Sequence, residues 1–389
     1  MQNRRFASTS SHDHLALFLG VCLVSLLLIY HLTHQPPAPI IPLPPWEEVI
    51  HLVYMLGGNS YSRHLFHTHL KSLLAFSNSS LHLHVIADYE NIEDVRVLLD
   101  TWRLPRCNYT FYDEKDYTAR IPRVPHPHYS MQFGYLKLEL PYIIKHTDKI
   151  LVLDVDIVAQ VDVKKLWDRL GYFNSTNFFG MVHTTSGWYT LGRPGMWPAV
   201  GTGFNSGVIL MDLWKMRNAS FDQAWRESFK RNYAIVGSNP IADQDILNAW
   251  VKENPETFQE IPCPFNYEVG GGSRQKLCLL KPLLIHFNTP TKKPNRGLER
   301  FADIRKIYAE MDGDLLALNR VENGTRNNEP RILPNAYGRR PPSNLCWGTH
   351  LGAGDLEIFL EHADLWSLPI AVVLYGSDKE VVRWTVITS

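Results

Sequence analysis

Ile150-Leu151-Val152-Leu153 is an unbroken apolar run, and Asp154-Val155-Asp156 follows it at once. A run this short and this apolar reads as a strand buried on both faces. Side-chain alternation puts Asp154 and Asp156 on one side of an extended chain. Two carboxylates held that close repel unless a cation lies between them. Hard oxygen donors of this kind suit a divalent metal, and a diphosphate can fill its remaining positions. A solvated loop pair or a helix cap is the alternative for these residues read alone.

The residues before this strand alternate between two periods. His51–Leu56 reads as a strand ending in Gly57-Gly58-Asn59, and Leu81–Ala87 and Tyr109–Tyr112 read as further strands. Between them, Arg63–Ala75 carries Leu65, Phe66, Leu70 and Leu73 at helical spacing with His69 on the same face, and Asn91–Trp102 is also helical. Tyr135–Ile144 reads as a helix that Pro141 is placed to kink. Strands and helices in alternation predict a mostly parallel sheet covered by helices. Ligands of such sheets bind beyond the carboxyl ends of the strands, where Asp154 and Asp156 stand.

Three later segments add polar groups. Gly201-Thr202-Gly203-Phe204-Asn205-Ser206-Gly207 leads into an apolar strand. Its glycines serve either a tight turn or close backbone approach to a ligand, and Asn205 offers a donor and an acceptor suited to sugar hydroxyls. Asp243-Gln244-Asp245 opens a helix running toward Trp250. Asp243 is either an N-cap or a pocket residue there. Leu283-Leu284-Ile285-His286 ends an apolar strand on a histidine, and Lys292 and Lys293 follow. That histidine is either structural or a nitrogen ligand for a metal, and a lysine six residues on can neutralise a phosphate.

Taken in order, these segments resemble glycosyltransferase family 8 on a GT-A fold, a Rossmann-like α/β fold with a mostly parallel sheet flanked by helices. The resemblance runs from about His51 to Arg320. It is strongest to the N-terminal, xylosyltransferase-like domain of the LARGE glycosyltransferases. Ser62-Arg63, Leu83–Asp88, Pro127–Ser130, Gly134–Leu138, Phe204–Leu210, Asp243–Asp245 and His286–Lys293 carry it. It implies that Asp154 and Asp156 coordinate Mn²⁺ and through it the diphosphate of a UDP-sugar, with His286 as third protein ligand. Lys292 would hold the β-phosphate, and Lys137 would sit near the donor. Asn205, Asp243 and Gln244 would line the donor-sugar pocket, with Gln244 or Asp243 supporting an oxocarbenium-like centre. Gly57, Gly58 and Val155 complete the expected donor-binding set. The similar enzymes retain anomeric configuration, and UDP-xylose is the favoured donor over UDP-glucose, UDP-galactose and UDP-glucuronate. A glycan or glycoprotein is the implied acceptor.

The ends of the chain bear on where it works. Leu15–Tyr30 has no charge and extends to Leu32. At ~1.5 Å per residue it spans most of a ~30 Å hydrocarbon core. Arg4 and Arg5 precede it, and no Lys or Arg follows until Arg63. The positive-inside rule then predicts a cytoplasmic tail over 1–14, a signal anchor over 15–32 and a lumenal remainder. A cleaved signal peptide is the rival, but no small-residue cleavage site precedes the prolines. Residues 33–48 read as a stem, since Gln35–Pro45 holds six prolines. This is the layout of a single-pass Golgi or ER membrane enzyme. Asn78, Asn108, Asn174, Asn218 and Asn323 begin glycosylation sequons, and Cys263 and Cys278 are spaced to close a loop in an oxidising lumen.

Composition removes other classes. The 39 basic and 39 acidic residues cancel, which argues against a nucleic-acid partner. At 45% hydrophobic the chain carries a sizeable core, so wholesale disorder is excluded. The catalytic domain is expected over 49–322. Residues 323–389 read as a linker and a tail resembling the start of a second glycosyltransferase domain. That tail is too short for an α/β core of its own, so this chain is not expected by itself to make an alternating xylose–glucuronate polymer. The competing functions are a catalytically inactive glycan-binding or scaffolding protein and a sugar-nucleotide hydrolase.

Overall fold

The computed structural model describes residues 48–58, 60–121, 131–184, 188–190, 196–270, 278, 280–289, 291–294, 298–313, 316, 370–375 and 381–387. The first strands and helices alternate as expected: β1 (Val49–Leu56), α1 (Ser60–Phe76), β2 (Ser80–Ala87), α2 (Tyr89–Trp102), β3 (Cys107–Asp113), α3 (Met131–Ile143) and β4 (Lys149–Leu153). Two boundaries differ for local reasons. Helix α2 starts before Asn91 because the Asp88 carboxylate caps it, accepting from Asn91 N at 3.0 Å. Helix α3 starts before Tyr135 and continues through Pro141 without a break.

Downstream lie β5 (Ile157–Ala159), β6 (Phe179–His183), β7 (Phe204–Asp212), α4 (Phe221–Val236), α5 (Asp243–Glu253), β8 (Phe258–Ile261), β9 (Tyr267–Glu268), β10 (Leu284–His286) and α6 (Arg300–Glu310). The main sheet has the order β3-β2-β1-β4-β7-β6-β8. Strands β3, β2, β1 and β4 pair in parallel, as do β6 and β8, while β7 runs antiparallel to both its neighbours. The sheet is therefore mostly parallel around one reversed strand. That reversal brings the amino end of β7 to the carboxyl end of β4. Pairing begins at Phe204, which faces His183 on β6. Asn205 and Ser206 are thus strand residues, where the sequence suggested a loop before the strand.

The alternation in β4 divides the core into two layers. Leu151 and Leu153 pack with Phe66 and Leu70 of α1 and Val95 and Leu99 of α2. Ile150 and Val152 pack with α3, α4 and α5 through residues such as Leu136, Trp225 and Ile246. A second sheet, β5-β10-β9, carries its own apolar cluster of Val158, Ile285, Phe287, Phe301 and Ile304. Cys263 and Cys278 are disulfide-bonded, which agrees with the loop-closing expectation. Strands β11 (Ile370–Tyr375) and β12 (Val381–Ile387) pair antiparallel as a separate two-stranded sheet. The expected anchor over 15–32, its flanking tail and stem to residue 47, Pro127–Ser130 and Asn323 lie outside the described residues. Among the described residues no helix is long and apolar enough to cross a membrane. The sequons at Asn78, Asn108, Asn174 and Asn218 are all exposed.

Strand β5 is only three residues long and needs partners on both edges. One edge pairs with β10. On the other, Ser72 Oγ of α1 accepts from Ala159 N at 2.9 Å, and the His69 ring contacts Ile157 O at 2.8 Å. Ser72→Ala orphans that buried N–H. We predict a stability loss of about 1–3 kcal/mol, read as a lower urea midpoint with an unchanged slope. An unchanged midpoint contradicts this account of how β5 is held.

Candidate active site

The chain leaves β4 at Leu153, turns through Asp154 and Val155, and enters β5 after Asp156. The two neighbouring strands fix that turn. Asp154 N donates to Gly207 O of β7 at 2.8 Å, and Phe287 N donates to Asp156 O at 3.0 Å. The β5–β10 register sets His286 opposite Ile157, so the imidazole arrives beside Asp156. Gly207 makes room for it: a Cβ there would stand 2.2 Å from His286 Cε1. The glycine is required by a side-chain approach, while Gly201 and Gly203 serve the turn reading with φ of 57° and 79°.

The charged groups interlock. His286 Nε2 lies 3.2 Å from Asp156 Oδ1 and 3.7 Å from Asp154 Oδ2. Lys292 Nζ donates to Asp156 Oδ2 at 2.8 Å. Lys137 Nζ donates to Asp154 Oδ1 at 2.7 Å and to Ser206 O at 2.8 Å, and sits 3.6 Å from Asp243 Oδ2. Burial alone would push the Asp156 carboxyl up, but the His286 and Lys292 charges outweigh it and hold it well below the usual carboxylate range. Burial pulls His286 down, and the charges of Asp156, Asp154 and Glu268 more than reverse this, so its imidazole sits above its ordinary value. The side chain of Asp154 is 34% exposed, against 6% for Asp156 and 2% for His286. The cluster therefore opens to solvent on the Asp154 side.

A polar network adjoins it. Gln244 Oε1 accepts from Asn205 Nδ2 and from Ser206 N, both at 3.2 Å. Asn205 Nδ2 also donates to Glu268 Oε1 at 3.0 Å, and Asn205 Oδ1 accepts from Asn266 Nδ2 at 2.8 Å. Asn266 Oδ1 is 2.8 Å from His286 Nδ1, so it orients the ring whose other nitrogen faces the carboxylates. Asp243 is the first residue of α5, one position past the N-cap residue Ala242, and its carboxylate faces Lys137. The N-cap alternative for Asp243 is thus set aside. Two non-glycine residues with left-handed φ flank the site, Ala242 at 49° and Lys292 at 51°. Such backbone persists where surrounding structure imposes it, and it collects at functional sites. Burial pushes neighbouring Asp245 up to about 7, although Ile241 N and the Tyr189 hydroxyl donate to it.

The structure thus brings together Asp154, Asp156, His286, Lys292, Lys137, Asn205, Asp243 and Gln244. Val155 instead packs against the core shared with Leu153. Gly57 and Gly58 end the strand beside β4, but Gly57 leaves room for the Phe133 ring, 2.0 Å from a Cβ placed there, and Gly58 O accepts from Asn91 Nδ2. Sequence reasoning missed Asn266 and Glu268. Glu268 is buried and accepts from Asn205, Thr184 and Asn288. The signal available was polar residues in Phe265-Asn266-Tyr267-Glu268 beside a bridged cysteine.

The donor set fits a divalent metal. Ligand atoms of Asp154, Asp156 and His286 all lie within 4.8 Å of one another. Two hard oxygens with one imidazole suit Mn²⁺ or Mg²⁺. Charge agrees, because the carboxylates of Asp154, Asp156, Asp243 and Glu268 outnumber the ammonium groups of Lys137 and Lys292.

Comparison with known proteins agrees with this architecture. Glycosyl transferase family 8 matches residues 52–294, more than half of the chain. The glycosyltransferase-like protein LARGE of Caenorhabditis elegans is 36% identical over 354 residues, covering 87% of this chain and 56% of that protein. The xylosyl- and glucuronyltransferase LARGE2 of Rattus norvegicus is 34% identical over 286 residues, 70% of this chain and 41% of that protein. The chain thus spans about half the length of the curated relatives it matches. Among solved structures, mouse xyloside xylosyltransferase 1 in its apo form superposes with a TM-score of 0.53 at 21% identity, covering 63% of this chain and 99% of that one. The glycosyltransferase GlyE of Streptococcus pneumoniae gives 0.50 at 16% identity, covering 71% and 64%. These two share the fold. With the family matched across the sheet and its acidic edge, the chain belongs to glycosyltransferase family 8 and is a glycosyltransferase.

Proposed function

We propose that this chain transfers a sugar, xylose in first place, from a UDP-sugar to a glycan or glycoprotein acceptor with retention of configuration. The observation that carries the reading is the convergence of Asp154, Asp156 and His286 at the carboxyl edge of β4, with Lys292 beside them. The name xylosyl- and glucuronyltransferase of the LARGE2 relative supports xylose as one of two candidate sugars. Asp154, Asp156 and His286 would hold Mn²⁺, which supplies Lewis-acid stabilisation of the diphosphate leaving group.

The other roles belong to this chain's own residues. As the bond between sugar C1 and the diphosphate oxygen breaks, negative charge grows on the departing diphosphate. The Lys292 ammonium, held next to Asp156, would stabilise that charge. Lys137 directs its donors at Asp154 and Ser206 and faces Asp243. It would hold those groups in place beside the donor. Asn205 is bonded to Gln244, Glu268, Gly207 and Asn266, so it holds the Gln244 amide in a fixed orientation at the expected donor-sugar pocket. The acceptor hydroxyl attacks C1 on the face the diphosphate leaves, and its proton passes to the departing diphosphate oxygen.

The experiment is UDP release with Mn²⁺ from UDP-xylose, UDP-glucose, UDP-galactose and UDP-glucuronate, with EDTA and Asp156→Ala as controls. We expect metal-dependent turnover greatest with UDP-xylose and a loss of at least roughly 100-fold in Asp156→Ala, the scale of removing one electrostatic stabiliser. Turnover with a different donor overturns the sugar assignment. Absence of UDP binding by the folded protein overturns the transferase reading and favours the inactive glycan-binding one. Release of free sugar unaffected by acceptor favours a hydrolase.

We also infer that residues 15–32 anchor the chain in a Golgi or ER membrane with the enzyme domain in the lumen. The uncharged run after Arg4 and Arg5 supports this, as do the exposed sequons and the Cys263–Cys278 bond. The full chain should stay in the membrane pellet after alkaline carbonate washing. Release into the wash contradicts the anchor.

A further inference from the structure

Four histidines gather away from the carboxylate cluster. His51 on β1 is the register partner of His82 on β2, and His84 follows two residues on. Alternation places all three rings on the face that α3 covers, with Val53 and Ile86. His146, just beyond the end of α3, joins them from solvent. The rings of His82 and His84 stack at 4.4 Å between centroids, and His84 lies 5.2 Å from both His51 and His146. Ligand atoms of His82, His84 and His146 fall within 4.8 Å of one another. The cluster lies level with Ile150 and Val152, two strands away from β4.

Among the described residues, no carboxylate pairs with any of the four rings, so protonation there has no compensating charge. Burial, with the neighbouring imidazoles, pulls His51 down to about 4 and lowers His84 further. Neutral imidazoles are the form that binds metal. Each strand histidine also has an outer partner of the kind that orients metal ligands. His84 Nδ1 lies 3.1 Å from the Tyr112 hydroxyl, and His82 Nε2 lies 2.8 Å from Thr110 Oγ1. With those nitrogens protonated, His84 Nε2 and His82 Nδ1 carry the lone pairs. His84 Nε2 lies 3.0 Å from His51 Nδ1, a hydrogen bond that the ion would replace when it takes the His84 lone pair.

We propose that His82, His84 and His146 form a second metal site, one that takes Zn²⁺. Three imidazoles with an open fourth position are a recognised Zn²⁺ set, whereas Mn²⁺ and Mg²⁺ prefer oxygen. A tetrahedral ion bound at ~2.0–2.1 Å needs nitrogens roughly 3.3 Å apart. The exposed His146 ring therefore moves inward on binding. The site is distinct in both place and chemistry from Asp154, Asp156 and His286, and it does not rest on the transferase reading.

The test uses the untagged full chain stripped of metal and kept in excess Mn²⁺, so that the carboxylate site is competed for. Co²⁺ bound by nitrogen in tetrahedral geometry gives strong visible bands that an octahedral oxygen site lacks. We expect such bands, displaced stoichiometrically by Zn²⁺. His146→Ala and His82→Asn should each weaken Zn²⁺ binding roughly 10-fold or more, with circular dichroism unchanged. If His82→Asn misfolds, the exposed His146→Ala decides alone. Absence of tetrahedral Co²⁺ bands in the folded wild-type chain overturns the site. So does equal Zn²⁺ affinity in wild type and His146→Ala.

Discussion

Asp154 and Asp156 place like charges two residues apart at the end of a buried strand, and much of the surrounding structure answers that repulsion. Lys137 takes one oxygen of Asp154, and Lys292 takes one of Asp156. His286 lies between the remaining oxygens. Two carboxylates this close are costly without positive charge between them. Here each keeps one oxygen toward a lysine and one toward the imidazole. That division turns two oxygens and a nitrogen toward one another, a donor set that could hold a cation.

Topology makes the arrangement possible. A wholly parallel sheet would bring only strand ends to this edge, and each would arrive by its own loop. Reversing β7 lets a continuous, fully buried strand deliver Asn205, Ser206 and Gly207 from its amino end. The turn after Asp156 sends the chain into a second sheet, where β10 carries His286 back against it. The α1 helix closes the free edge of β5 through His69 and Ser72. Asn266 joins the two halves, since its amide group bonds Asn205 on one side and His286 on the other. The metal-ligand set and the polar network at Gln244 are thus one connected unit.

The first half of the fold was legible because its segments are long and periodic. β1, α1, β2, α2 and β4 each carry an apolar repeat that sequence alone exposes, and errors there came from caps such as Asp88. Of the second sheet only β10 was legible, as the apolar run ending at His286. β5 and β9 have three and two residues, too few for any period to appear. Nor does an apolar run such as Val208–Leu210 state its direction, which the connection before it sets. The site followed the same division. Asp154 and Asp156 were found because they end a readable strand, and Asn205 because glycines surround it. Lys137 had a further signal, a charge within the otherwise apolar Tyr135-Leu136-Lys137-Leu138. Asn266 and Glu268 sit between short elements, and only the folded chain shows that they face His286 and Asn205. Nor does sequence show that Gly57 makes room for the Phe133 ring.

The central claim is that the Asp154–Asp156–His286 group is a metal-bridged nucleotide site. Calorimetric titration of UDP into the metal-stripped protein tests it most directly, with and without Mn²⁺ and with His286→Ala alongside. The account predicts that UDP binds only when Mn²⁺ is present and that His286→Ala loses this dependence together with most of the affinity. UDP binding of equal strength in EDTA, or metal-dependent binding untouched by His286→Ala, would contradict it.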